Sequence, residues 1–339
     1  MNHPPIVAIV GATGAVGVEF LRCLEERNFP LAELRLFASA RSAGKHLAFR
    51  GQSLVVHELT EQSFSGVDIA LFSAGGSLSK KFGPIAAKSG AVVIDNSSAF
   101  RMNPDVPLIV PEINPQEINN HKGIIANPNC STIIAIVPLW PLHKINRITR
   151  IIAATYQAAS GAGAAAMQEL LDATKAALNG QEYPPTVLPH PYAFNVFSHN
   201  ASVDLHTGYN EEEIKMVKET RKIFGDPDIR ISATCVRVPV LRAHCESLTV
   251  EFMSPIQADQ VRDILSHAPG VKVVDQREKN YFPMPRDASG QGDILVGRIR
   301  NDLSDPTGRS IALFVAGDQL LKGAALNAVQ IAELLVAKN

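Results

Sequence analysis

Cys130 stands in Asn127-Pro128-Asn129-Cys130-Ser131-Thr132, between two apolar runs. Gly123 to Ala126 reads as the end of a buried strand. Pro128 breaks it, because proline gives no ladder donor and biases Asn127 away from helical geometry. Ile133 to Val137 then reads as a helix, with Asn129 or Ser131 as its cap. A cysteine on such a strand-to-helix turn lies among free helix N–H groups. Those groups favour thiolate over thiol and can donate to a developing oxyanion. The same stretch also fits a small buried hydrophobe, the commoner state of a free cysteine.

Other chemistry-bearing residues are scattered. His244 follows a charged strand at a turn, and imidazole titrates near working pH, so it is a candidate general base and acid. Arg237 interrupts the apolar run Ile231 to Val240; a charge there needs a partner, and a substrate carboxylate fits. Gln157 ends the apolar strand from Arg150, where its amide can orient a substrate or satisfy nearby backbone. Glu212 and Lys215 are three apart on a helix that opens with the capping-box pattern Asn210 to Glu213. They read as a site pair or an ordinary surface pair. Arg101 lies beyond the strand Ala91 to Ile94, near Ser97 and Ser98, at the edge where open α/β sheets bind ligands. It suits a phosphate or carboxylate clamp, or a surface arginine.

The elements that position these residues begin with a nucleotide domain. Ile6 to Val10 is a short apolar strand, Gly11-Ala12-Thr13-Gly14-Ala15-Val16-Gly17 follows at once, and Val18 to Glu26 has helical spacing. Strand, glycine loop and helix together form a dinucleotide fingerprint. The second strand, Leu34 to Ala38, ends in Ser39-Ala40-Arg41-Ser42 with no acid for a ribose hydroxyl. Hydroxyls and an arginine there suit a 2′-phosphate, so the cofactor expected is NADP. The loop Ser73-Ala74-Gly75, after the strand from Asp68, should pass close to it. Further on, strands at 231–240, 248–252, 271–274, 293–300 and 310–316 alternate with helices at 164–178, 210 onward and 258–267. The stretch 180–200, rich in Pro, Tyr and His, reads as an irregular interface excursion, with His190 and His199 structural or on the surface. The last helix, Leu320 to Ala337, has Gly323 in its first turn, which suggests a close backbone approach.

The fold class is therefore α/β: a Rossmann-type nucleotide-binding domain over 1–130, joined by the C-terminal helix 319–339, and an α+β catalytic and dimerisation domain with a mixed sheet over 131–318. The chain has 339 residues, 46% apolar and 19% charged, with a net charge of −1. Near-neutral charge gives no reason to expect nucleic acid or an anionic membrane as partner. Four cysteines without a CxxC pair argue against a zinc or disulfide framework and suit a reduced, cytoplasmic compartment; no metal is expected. No signal peptide or membrane-spanning run is read in the sequence.

With these residues in view, the chain resembles the aspartate-semialdehyde dehydrogenase family over nearly its whole length. The matches are the Gly11 to Gly17 loop, Asn127 to Thr132, Gln157 before Ala-Ala-Ser-Gly-Ala-Gly, the Glu212/Lys215 pair, Arg237 seven before His244, and Lys322-Gly323-Ala324-Ala325. The resemblance implies that Cys130 is the thiolate nucleophile, His244 the acid/base and Gln157 the group that orients the acyl. It implies that Arg237 holds the substrate carboxylate with Glu212 on its amino group, and that Arg101 and Lys215 hold phosphate. Ser160, Gly161 and Gln319 are assigned with the loops above to the cofactor. The implied reaction is the reversible, NADPH-dependent conversion of aspartyl phosphate to aspartate semialdehyde, in lysine, threonine and methionine biosynthesis, by a homodimer or homotetramer. Two departures stand out: Gln319 and Leu321 replace the family's Asn and Arg. Pro138 and Pro141 should break or kink the helix after Cys130. Competing readings are an N-acetyl-glutamyl-phosphate reductase, a glyceraldehyde-phosphate-type dehydrogenase, which lacks a match around the nucleophile, and a non-catalytic NADP-binding relative.

Overall fold

The computed structural model describes residues 3–337; Met1 and Asn2 of the amino-terminal stretch, and the last two residues of the expected C-terminal segment, lie outside the described residues. In chain order the elements are β1 (Ile6–Val10), α1 (Ala15–Glu26), β2 (Glu33–Ala38), β3 (His46–Phe49), β4 (Gln52–Glu58), β5 (Ile69–Phe72), α2 (Gly76–Lys88), β6 (Val92–Asp95) and β7 (Ile124–Ala126). They continue with α3 (Cys130–Ile145), β8 (Ile148–Gln157), α4 (Ala164–Leu178), β9 (Phe197–Ser198), α5 (Glu211–Phe224), β10 (Arg230–Arg237), β11 (His244–Phe252) and α6 (Ala258–Ser266). Last come β12 (Val271–Val273), α7 (Pro285–Ala288), β13 (Ile294–Asn301), β14 (Ser310–Gly317) and α8 (Leu326–Val336).

The chain forms two compact units. One takes residues up to Asn129 together with those from Ala324 onward, and the other runs Cys130–Gly323. The return to the first unit thus comes at 324, later than the expected 319. Residues 319–323 stay with the second unit because Gln319 bonds to Ala243 and Gly323 packs on Cys130.

The first unit carries one sheet in the order β3-β4-β2-β1-β5-β6-β7, parallel except for the β3–β4 hairpin. β5 is buried throughout, as parallel strands covered on both faces must be. The strand order reverses between β1 and its two neighbours β2 and β5, which is where open α/β sheets leave a ligand crevice. α8 docks on this unit: Arg27 Nε donates to Glu333 at 2.6 Å, and Asn327 Nδ2 donates to Asn127 Oδ1 at 2.6 Å and to the Ile109 carbonyl at 3.0 Å.

The second unit carries a mixed sheet, β12-β13-β14-β11-β8-β10-β9. α3 runs unbroken through Pro138 and Pro141, against the expected break. Every residue from Ser131 to Leu139 is buried, and packing of so apolar a helix outweighs the two backbone hydrogen bonds that the prolines remove. β10 stops at Arg237, three residues before the expected Val240, and β11 starts at His244, four before the expected Leu248. His244 is therefore a strand residue, held by a ladder with β14. The 180–200 stretch is less irregular than expected. β9 pairs with the end of β10, and the buried Glu169 carboxylate accepts from the Thr186, Val187 and Leu188 N–H groups and the Thr186 hydroxyl at 2.6–3.0 Å. α5 has the expected box: Asn210 Oδ1 accepts from the Glu213 N–H at 3.0 Å, and Glu213 Oε2 accepts from the Asn210 N–H at 2.9 Å.

Candidate active site

In the first unit the glycine loop meets the end of β5 at very short range. Gly11 has φ +88°, and a Cβ there would lie 2.2 Å from the Ser73 carbonyl oxygen. A Cβ on Gly17 would lie 2.2 Å from the Gly11 carbonyl oxygen. Glycine at both places lets the loop close over the start of α1; the Gly11 and Ala12 N–H groups are taken by the Phe37 carbonyl and that of Gly14 by the Gly11 carbonyl, so the first N–H groups of α1 are the ones suited to a pyrophosphate. Gly11, Thr13, Gly14, Ser39, Ala40, Glu58, Leu59, Ser73, Ala74, Leu78 and Phe82 line a cavity of about 290 Å³. Ala12 is buried behind it, Ala15 and Val16 open α1, and Thr13 Oγ1 donates to Ser42 Oγ at 3.3 Å. Arg41 and Gly75 are exposed but outside that lining. Arg101 is buried, donating from Nε to the Asn127 carbonyl at 2.9 Å and from NH2 to the Asn96 carbonyl at 2.7 Å. Those carbonyls fix the plane of its guanidinium at the end of the β6 and β7 edge.

In the second unit the ladder gathers the scattered residues. Arg237 on β10 lies opposite Gln157 on β8, and His244 begins β11 beside the Tyr156–Cys245 pair. All three side chains are buried. Gln157 has a set orientation, because Thr155 Oγ1 donates to its Oε1 and its Nε2 donates to Glu212 Oε1, each at 3.2 Å. Lys215 Nζ donates to Glu212 Oε2 at 3.2 Å, so the helix pair is an ion pair that also touches Gln157. Arg237 donates from Nε to Asn200 Oδ1 at 3.1 Å and from NH1 to the Ala158 carbonyl at 3.1 Å, and its NH2 lies 2.8 Å from His199 Nε2. Burial holds its guanidinium below the ordinary range, while Tyr192, Glu212 and Cys130 act against that. The Arg237 charge thus reaches Cys130. His199 is pushed down to about 4, first by burial and then by Arg237.

Cys130 is the first residue of α3 and is partly open, whereas Cys23, Cys235 and Cys245 are buried. Burial pushes Cys23 and Cys245 up to about 12, which makes them inert thiols. A Cβ on Gly323 would lie 2.8 Å from the Cys130 Cβ, so the close approach expected of that glycine is to the candidate nucleophile.

Profiles of the semialdehyde dehydrogenase NAD binding domain and dimerisation domain match residues 6–121 and 139–322. The chain is 56% identical over 338 residues to the aspartate-semialdehyde dehydrogenase of Synechocystis sp., covering 100% of this chain and 99% of that one. The chain belongs to the aspartate-semialdehyde dehydrogenase family. The enzyme of that name from Aquifex aeolicus is 53% identical, with 97% of each chain covered. Among solved structures, aspartate semialdehyde dehydrogenase II from Vibrio cholerae complexed with ASA superposes with a TM-score of 0.96 at 48% identity over 99% of both chains. The Candida albicans enzyme with NADP superposes at 0.76 and 25% identity, again over 99% of both. The two profile matches agree with a nucleotide-binding unit followed by a dimerisation unit.

Several groups escaped the sequence reading of this family member. His199, read as structural or on the surface, and Asn200, which ends the 180–200 stretch, carry Arg237; only the ladder between β9 and β10 brings them there. Gln319, assigned above to the cofactor, is buried; its Oε1 accepts from the Ala243 N–H at 2.9 Å and its Nε2 donates to the Ser160 hydroxyl. It braces the turn after β8 against the loop before β11, and Ser160 and Leu321 are buried with it. Glu58 lines the nucleotide cavity beside Ser39, and no spacing rule pointed to it. Glu246 lies fully buried two residues beyond His244, with no hydrogen-bond partner on either carboxyl oxygen; burial, then the charge of Glu212, raise it well above the carboxylate range.

Proposed function

We propose that this enzyme interconverts aspartyl phosphate and aspartate semialdehyde through a thioester on Cys130, with NADP as its hydride partner. The glycine loop and the 290 Å³ cavity fit such a dinucleotide, since Gly11 and Gly17 leave no room for a side chain where the backbone must close. When bound, NADP accepts a hydride from carbon and NADPH returns it. Ser39, Arg41 and Ser42 would face the 2′-phosphate and Thr13 to Val16 the pyrophosphate, with Ser73, Ala74 and Gly75 alongside.

The observation that carries this reading is the meeting of Arg237, Gln157, Glu212 and His244 around one strand end in the unit that Cys130 opens. In the oxidative direction the Cys130 thiolate, stabilised by the α3 N-terminus and the Arg237 charge, adds to the aldehyde carbon. Loss of hydride from that carbon leaves a thioester. A phosphate oxygen then attacks the thioester carbon and the C–S bond breaks, releasing acyl phosphate. Gln157 orients the acyl group, Arg237 holds the substrate carboxylate, and Glu212 takes the amino group. Lys215 and Arg101 hold phosphate. The exposed apolar residues Ile152 and Tyr156 on β8 support assembly as a homodimer or homotetramer through the second unit. Among the described residues no helix is long and apolar enough to cross a membrane.

Aspartate semialdehyde, NADP and phosphate should together give NADPH, with a lower KM for NADP than for NAD, and Cys130→Ala should lower the rate by at least about 10⁴-fold. No NADPH from the wild-type enzyme, or full activity in Cys130→Ala, would defeat the proposal. An equal or lower KM for NAD would remove the cofactor preference alone.

A further inference from the structure

β14 runs antiparallel to β11 and sets Gly317 opposite His244. A Cβ on Gly317 would lie 2.8 Å from Cγ1 of Ile134, about one turn along α3 from Cys130. The next residue, Asp318, is fully buried. Its Oδ2 accepts from Nε of Arg242 at 2.7 Å and from the Gly290 N–H at 2.6 Å, and its Oδ1 accepts from the Leu320 N–H at 3.0 Å. Its backbone carbonyl accepts from the N–H groups of Leu321 and Gly323 at 3.1 and 3.2 Å. One residue thus ties together two approaches to the site. On one side Arg242 leads into Ala243, which is buried and held at φ +71°, and so into His244. On the other the turn ends at Gly323, whose backbone packs on Cys130.

We infer that Asp318 is a positioning residue, which sets the spacing between the Cys130 thiol and the His244 imidazole. This rests on the thioester reading above, with His244 as the acid–base group that the family resemblance implies. Asp318 acts through Arg242 on one reacting group and through Gly323 on the other. A left-handed backbone at an alanine persists only where its surroundings fix it, and the Arg242–Asp318 pair is one of the fixtures beside Ala243. A carboxylate shut away from water must keep its donors, so the place of each donor is set by the others. The two short bonds to Oδ2, one from a guanidinium and one from a backbone N–H, leave the carboxylate plane little freedom. Arg242 is anchored at its other end as well, since its carbonyl accepts from the Ser289 hydroxyl at 3.3 Å. Misplacing a reacting group by about 1 Å costs on the order of 10²-fold in rate. The glycine loop and the substrate groups on β8, β10 and α5 lie on other elements. A shift of Asp318 therefore shows in the chemical step and spares the binding of either substrate.

The test is the rate of the NADPH burst from aspartate semialdehyde and NADP without phosphate, with both KM values and the melting temperature measured alongside. Asp318→Asn sets an amide N–H against one of the present donors whichever way it turns. Its burst rate should fall about 10- to 100-fold, with both KM values within about three-fold of wild type. A second variant separates position from stability. Asp318→Asn combined with Arg242→Met removes both charges of the pair, so the melting temperature should recover while the burst rate stays at least about ten-fold low. Arg242→Lys keeps the charge without the planar Nε–H; it should melt close to wild type and lose roughly three- to ten-fold in burst rate. An unchanged burst rate in Asp318→Asn, a rate that recovers with the melting temperature in the double variant, or a KM rise as large as the rate loss would each overturn the inference. Where Asp318→Asn does not fold, a wild-type burst rate in Arg242→Lys overturns it. A wild-type enzyme that gives no burst would overturn the thioester reading, and the inference falls with it; a normal wild-type burst matched by the variants overturns the inference alone.

Discussion

The two units build their binding groups from different materials. In the first, the cradle is backbone: a glycine loop, itself one contiguous stretch, closes against the Ser73 carbonyl and leads into the N-terminus of a helix. In the second, the site is made of side chains from β8, β10, β11 and α5, each held by a partner remote in sequence. A backbone cradle tolerates almost no added volume and responds to one substitution as a whole. A side-chain network fails piece by piece, and each piece touches a different part of the substrate. Damage to one unit should therefore appear in the KM of one ligand and leave the other nearly unmoved.

The largest separation is expected at Gly11. Alanine there must accept a left-handed backbone and displace the Ser73 carbonyl, a strain of about 1–3 kcal/mol in the φ alone before the clash is counted. Gly11→Ala should raise the KM for NADP by about 10-fold or more and lower the melting temperature, with little change in the KM for aspartate semialdehyde. Steady-state kinetics with each substrate varied in turn would check this, and equal changes in both values would dissolve the distinction. Next is Arg237. Loss of its charged hydrogen bonds should raise the KM for the semialdehyde by about 10- to 100-fold in Arg237→Ala, with NADP nearly unaffected. An equal rise in both would count against the carboxylate role.

The smallest effect sharpens the picture of the second unit. Glu246 is buried without a hydrogen-bond partner, and its folded-state affinity for a proton is raised. Its stabilising contribution is therefore full below the unfolded carboxyl value of about 4.3 and is lost as pH rises toward the folded value. Glu246→Gln, neutral at every pH, should melt close to wild type near pH 4 and above it at pH 8. A gap that shrinks as pH rises would show that Glu246 is ionised in the folded enzyme.

The same contrast explains how far the sequence could be read. The Gly11 to Gly17 loop, the Asn210 capping box and the strand-to-helix turn at Cys130 are local, and each appears where its residues predict it. Arg237 was legible as a charge that needs a partner, but not His199 and Asn200 as the residues that hold it, because they meet only across a two-residue strand. Nor was Gln319 legible as a brace: an amide at the head of a helix looks the same from the sequence whether it faces a ligand or a neighbouring loop. Pro138 and Pro141 misled for the converse reason, since a local rule about helices gave way to packing. His244 was found by type and position, yet its Nδ1 accepts from a backbone amide 86 residues away.

The central claim is a covalent acyl group on Cys130, and a single-turnover experiment tests it most directly. Enzyme mixed with aspartate semialdehyde and NADP, with phosphate left out, should give a burst of NADPH stoichiometric with active sites. Intact and peptide mass spectrometry should then place one acyl group on Cys130, removed when phosphate is added. A burst that leaves Cys130 unmodified, or an acyl group found on another residue, would contradict the account.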